Sequence, residues 1–326
     1  MSASVNHQSI IITRLTALWA LSECALGGMM HALKIPFTGI FVGGLAVICI
    51  ALISFHAHSV FKEVMKATII VLMVKAGVSP HTPVPAYIAV SFQGLLGALI
   101  FSVSKNFKRS APFFGFLAIT ESAIQKFLFT TLIFGKSVWV ALDIFVKSVL
   151  EDLHLPNNFS FSFWMITAYI IIYAVWGLIL GIFISGMPVA LDKIKSENIK
   201  IEKASVIFNE RKNKFKWLSY LLVLSFIVII FFIDGKINHV IYIVLRSLAV
   251  TMLLFVIARP LIVLLINYFG KNKKEELSQV MNLLPKIRSY VAPSFTLAKK
   301  SFNGINRYKY FILYLIHFSI SDNIDE

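Results

Sequence analysis

The feature that most limits what this chain can fold into is the recurrence of apolar runs about as long as a bilayer is thick. A helix needs roughly 20 mostly apolar residues to cross the hydrocarbon, where no water satisfies its backbone groups. About eight such runs are present, at about 10–33, 38–55, 60–78, 84–104, 112–135, 160–187, 217–233 and 239–268. The third is the weakest, because Lys62, Glu63 and Lys66 fall in its first two turns. Composition agrees: 58% of the residues are hydrophobic and 14% charged, against about 45–50% and about 25% in soluble domains. That excludes a disordered chain and a water-soluble enzyme. The expected fold is an all-α polytopic transmembrane helical bundle of six spans plus a two-helix extension.

Orientation follows from where Lys and Arg fall, since cytoplasmic loops carry the excess. With the amino terminus inside, the inner segments hold Arg14, then Lys62 and Lys66, then Lys105, Lys108 and Arg109, then the basic stretches 193–216 and 271–309. The outer segments keep only Lys34, Lys75, Lys136, Lys147 and Lys236. Both termini are therefore expected in the cytoplasm, in a multi-pass protein of the cell (inner or cytoplasmic) membrane. The formal charge of +15 becomes an orientation signal that anionic lipid accommodates, and no nucleic acid partner is expected. Residues 1–9 are polar and nearly uncharged, and no A-x-A site follows at the right distance, so no cleavable signal is expected. Cys24 and Cys49 lie in apolar runs and read as buried small side chains.

The organisation divides into a six-helix unit (1–190) expected to bind a solute, a basic connector (191–216), a two-span hairpin (217–268) and an amphipathic tail (269–326). Within the first unit, residues 137–152 place Asp143, Lys147 and Glu151 every four residues, opposite an apolar face. That pattern suits a helix in the interface plane, serving as a scaffold or as a lid. In the tail, Pro285 and Pro293 should break the chain into short pieces. The final apolar run, 310–320, is too short to span and should lie on the membrane or dock on a partner.

Ionisable and amide side chains at membrane depth are costly and mark candidate sites. Glu23 falls in the first run, with Trp19 one turn earlier on the same face. Gln93 falls in the fourth run, and Glu121 and Gln125 share a face of the fifth. His31 and His81 lie nearer the outer surface, and Trp164 opens the sixth run. Together these eight residues are the candidate substrate-binding set: the acids supply charge, the amides hydrogen bonds, and Trp19 or Trp164 a stacking face. Lys126 follows Gln125 and would weaken a preference for cations if it paired with an acid. His56 and His58 form an HxH pair, but the topology puts them opposite His31 and His81, so no metal site is expected. Close-packing small residues recur, among them Gly39, Gly43, Gly94, Gly97, Gly177 and Gly181.

No HExxH, GxSxG, P-loop or GxGxxG occurs in a usable context, so neither catalysis nor a cofactor is expected. Residues 14–21 (RLTALWAL), the turn 35–39 (IPFTG) and the span 86–101 (AYIAVSFQGLLGALIF) give the first 190 or so residues a look similar to the substrate-binding S components of energy-coupling factor (ECF) vitamin transporters. The last 130 or so residues depart from that family's size. The resemblance implies capture of a small vitamin-like or cationic solute from the outer side. It also implies uptake energised through ATPase and transmembrane coupling subunits that meet the cytoplasmic segments. Two other readings stay open: an ion- or proton-coupled secondary transporter using Glu23 and Glu121, and a non-transporting membrane scaffold.

Overall fold

The computed structural model describes residues 2–27, 38–79, 82–104, 106–154, 160–196 and 237–321. Among them every regular element is helical. Helix α1 (Ser2–Leu21) runs on through one π-helical turn (Ser22–Leu26). Then come α2 (Thr38–His56), α3 (Val60–Val78), α4 (Val84–Val103), α5 (Phe107–Phe134), α6 (Ser137–Asp152), α7 (Phe161–Ser185) and α8 (Met187–Ser196). The carboxyl-terminal part has α9 (Ile237–Leu253), a second π-helical turn (Leu254–Ala258), α10 (Arg259–Gly270), α11 (Lys274–Ser301) and α12 (Ile305–Ser321). The chain is an all-α polytopic helical bundle, a multi-pass membrane protein. Six segments among the described residues are long and apolar enough to cross a membrane: His7–Leu26, Gly39–His56, Val84–Val103, Phe107–Phe134, Phe161–Ser185 and Ile241–Gly270.

These six overlie six of the expected runs. The run at 217–233 lies outside the described residues, as does most of the connector. The run at 60–78 folds as α3, but its charges keep it out of the set. Lys66 and Glu63 pair at 2.6 Å on one side of that helix, while Val64, Ala67, Ile70, Val71 and Val74 are buried on the other.

Helix α2 forms the centre. Its run Ala46, Val47, Ile48, Cys49, Ile50, Ala51, Leu52 and Ile53 is enclosed on every side, as a helix apolar all round must be. Around it stand α1, α3, α4, α5 and α7. Helices α5 and α7 cross most closely, because Gly115 faces Gly177 and Gly181 faces Ala111 and Pro112. With no Cβ in the way, the two backbones touch directly.

Two expectations about the tail are corrected. Pro285 and Pro293 do not break it: α11 runs through both for 28 residues. Each proline removes a single N–H, and the flanking turns are held by burial of Val280, Ile287, Tyr290 and Ala298. The run at 310–320, expected to lie on the membrane or dock on a partner, finds its cover within the chain. As α12 it packs on this chain's own α1, α8 and α11, with Leu313, Tyr314, Leu315, Ile316 and Phe318 buried. The Arg14 guanidinium donates to the Ile320 carbonyl (3.3 Å).

Candidate functional site

Two polar clusters interrupt the apolar interior. The first joins α1 to α3. Glu23 lies in the π-helical turn of α1, where the Ser22 hydroxyl donates to the Trp19 carbonyl (2.8 Å). Lys75, on the last turn of α3, reaches inward and donates to Glu23 Oε2 at 2.6 Å, and both side chains are 5% exposed. Lys75 is therefore not the loop residue that the charge pattern made of it. A buried charge requires an opposite charge, and Glu23 supplies one from 52 positions away. Trp19 is wholly enclosed beside this pair, and its indole N–H has no hydrogen-bond partner among the described residues.

The second cluster is a seam contributed by four helices. Gly39 and Gly43 on α2 leave room for it. A Cβ on Gly43 would stand 3.1 Å from the Gln93 amide nitrogen, and one on Gly39 would stand 3.3 Å from the Tyr173 ring. Gln93 Nε2 on α4 donates to Ser122 Oγ on α5 (3.3 Å). On α7 the Tyr169 and Tyr173 hydroxyls are 2.7 Å apart, and their rings stack at 4.5 Å. Lys126 Nζ on α5 donates to the Tyr169 hydroxyl (3.2 Å) and lies 4.8 Å from the centre of that ring. Lys126 is thus held by a tyrosine rather than by an acid.

The remaining sequence candidates are scattered around these clusters. Gln125 Nε2 donates to the Pro85 carbonyl (2.9 Å), tying α5 to the first turn of α4. Glu121, one turn earlier, is half-buried, and its Oε2 is enclosed without a hydrogen-bond partner among the described residues. Trp164 is 61% exposed, with its ring against Phe163, and does not enter the seam. His31 and His81 lie outside the described residues. His56 Nδ1 bonds to the Leu52 carbonyl (2.8 Å), and no three metal-binding side chains converge among the described residues.

Comparisons with protein-family models, curated proteins and solved structures find no match.

Sequence reading placed Gln93 and Glu23 at depth but missed Lys75, Ser122, Tyr169 and Tyr173. The two tyrosines are spaced i, i+4 and so share a helix face. In a run as apolar as α7 they count as hydrophobic by composition, and only their paired hydroxyls show otherwise.

Proposed function

We propose that this protein is a membrane transport protein that binds a small, vitamin-like polar solute between its helices from the outer side, for uptake with a partner energising complex. The observation that carries this reading is the seam of Gln93, Ser122, Lys126, Tyr169 and Tyr173. Interhelical hydrogen bonds in a bilayer stabilise by only about 0.6 kcal/mol each on average. Packing alone therefore gives little reason to bury Gln93 and Tyr173 there, beside half-buried Ser122 and Tyr169 and with Lys126 at the exposed edge. Stacked rings with hydroxyl and amide groups suit a planar solute that carries several hydrogen-bonding atoms. The charges favour a neutral or anionic solute over a cationic one, because Lys75 already neutralises Glu23 and the seam's own ion is Lys126.

The test is a thermal-shift screen of vitamins on the purified full chain, followed by binding measurements with any hit. Tyr173→Phe and Gln93→Ala should each weaken that ligand at least tenfold while the protein still elutes as a single species. Unchanged affinity in both variants would remove the seam as the site.

The ion-coupled reading rests on Glu121, whose enclosed oxygen, unpartnered among the described residues, is a place for a proton or a small cation. It requires uptake that collapses with an uncoupler, continues without ATP and is lost in Glu121→Gln.

A further inference from the structure

At the basic end of the bundle a cleft of about 480 Å³ opens between the end of α2, the start of α5 and the elbow joining α7 to α8. Its two polar sides differ in kind. On the α5 side stand the Lys108 ammonium and the Asn106 amide. Asn106 Oδ1 accepts the Arg109 backbone N–H (3.3 Å), which leaves the amide NH2 as the donor this side chain can offer. On the α7–α8 side stand the Asp192 carboxylate and Ser185. The Ser185 hydroxyl gives its proton to the Ile182 carbonyl (2.7 Å), so its oxygen is left to act as an acceptor. One wall thus offers an ammonium and an amide donor, and the other a carboxylate and a hydroxyl acceptor.

The rest of the lining is apolar. Phe55, 48% exposed, stands edge-on to Phe107 with ring centres 5.1 Å apart, and Val189 is 67% exposed across from them. Apolar surface of that extent at the end of membrane-crossing helices suits acyl chains rather than water. The two polar walls suit a headgroup with an anion at one end and a proton-donating cation at the other.

We infer that this cleft binds an aminophospholipid, with the phosphate toward Lys108 and Asn106, the primary ammonium toward Asp192 and Ser185, and the acyl chains along Phe55 and Val189. The headgroup chemistry makes the preference specific. Phosphatidylcholine carries a cation with no N–H to donate to Asp192, and phosphatidylglycerol offers hydroxyl donors but no cation. Neither can form the charge-assisted hydrogen bond from an ammonium to Asp192.

The experiment is native mass spectrometry of the delipidated full chain, titrated with phosphatidylethanolamine, phosphatidylcholine or phosphatidylglycerol of matched acyl chains. Phosphatidylethanolamine should be retained at least fivefold more than either of the others. Asp192→Asn should abolish that preference. Asn106→Asp keeps the oxygen that caps α5 but loses the donor, so it should weaken all three lipids. Thermal melting of each variant without lipid establishes that the fold persists. Equal retention of the three lipids by the native chain, or an undiminished preference in Asp192→Asn, would overturn the inference. So would competition by soluble glycerophosphoethanolamine at the same concentration as the intact lipid, since the apolar walls would then contribute nothing.

Discussion

Replacing Lys75 with methionine strands the Glu23 carboxylate, and replacing Glu23 with glutamine strands the Lys75 ammonium. The paired atoms are 2.6 Å apart, and each side chain is 5% exposed, so neither ion regains water unless α1 and α3 separate. At an effective dielectric constant of about 20, the attraction at that distance is roughly 6 kcal/mol. Removing each ion from water costs several kcal/mol. The intact pair is therefore close to neutral for stability, whereas loss of one partner should cost about 3–5 kcal/mol. At about 2.1 cal/mol/K per residue, unfolding 326 residues carries an entropy of about 0.7 kcal/mol/K. Each single variant should then melt about 4–7 °C lower. The apolar double variant, Glu23→Leu with Lys75→Met, should return to within about 1 kcal/mol of the native chain. The assay is fluorescence-detected melting of the full chain in detergent, read as a double-mutant cycle. Single variants that each shift by less than 1 °C, or a double variant that loses the sum of the two, would refute the reasoning.

Gly177→Val places branched carbons against the Gly115 carbonyl where α5 and α7 touch, and should cost about 1–3 kcal/mol or more. Gly77→Ala, where no atom from beyond its own stretch of helix lies within 4 Å of the new carbon among the described residues, is the matched control and should melt no lower than the native chain. The Ser162 backbone N–H (2.6 Å), with the Ser160 and Ser162 hydroxyls, holds the Asp143 carboxyl below its ordinary 3.8. Its contribution is complete above pH 3.8 and is lost only as the pH falls through that lower value. Protection of the α6 amides, taken relative to intrinsic exchange at each pH, should therefore be unchanged from pH 7 to 5 in the native chain, but lower throughout in Asp143→Asn. Burial, aided by the positive charge of Lys195, pushes His317 below its ordinary 6.5. Its neutral form belongs to the folded state, so stability is complete above pH 6.5 and declines as the pH drops below it. Proteolysis of α12 should accelerate between pH 7 and 5, and this acceleration should be absent in His317→Gln.

The architecture was legible because it rests on local quantities. Run length and hydropathy locate α1, α2, α4, α5 and α7, and the four-residue charge period of 137–152 locates α6. What escaped depends on pairing across the chain. A lysine at a helix end reads as a boundary residue, and only Glu23 on another helix turns Lys75 inward. Gln125 finds a backbone carbonyl, which has no signature in residue type. Glu23, Gln93, Glu121 and Gln125 were nominated by depth, but depth does not say which of them already has a partner. The fold-back of α12 was hidden for a related reason: a run too short to cross a bilayer says nothing about which surface will cover it.

The bond from Arg14 to Ile320 links positions 306 residues apart. At synthesis rates of about 5–20 residues per second, the Arg14 flank of α1 waits roughly 15–60 s for the segment that covers it. Throughout that interval neither α11 nor α12 is there to cover it. Codon changes that slow the ribosome beyond Gly270 should therefore lower the yield of intact protein without altering a single residue. For this chain, the tempo of translation is part of the folding problem.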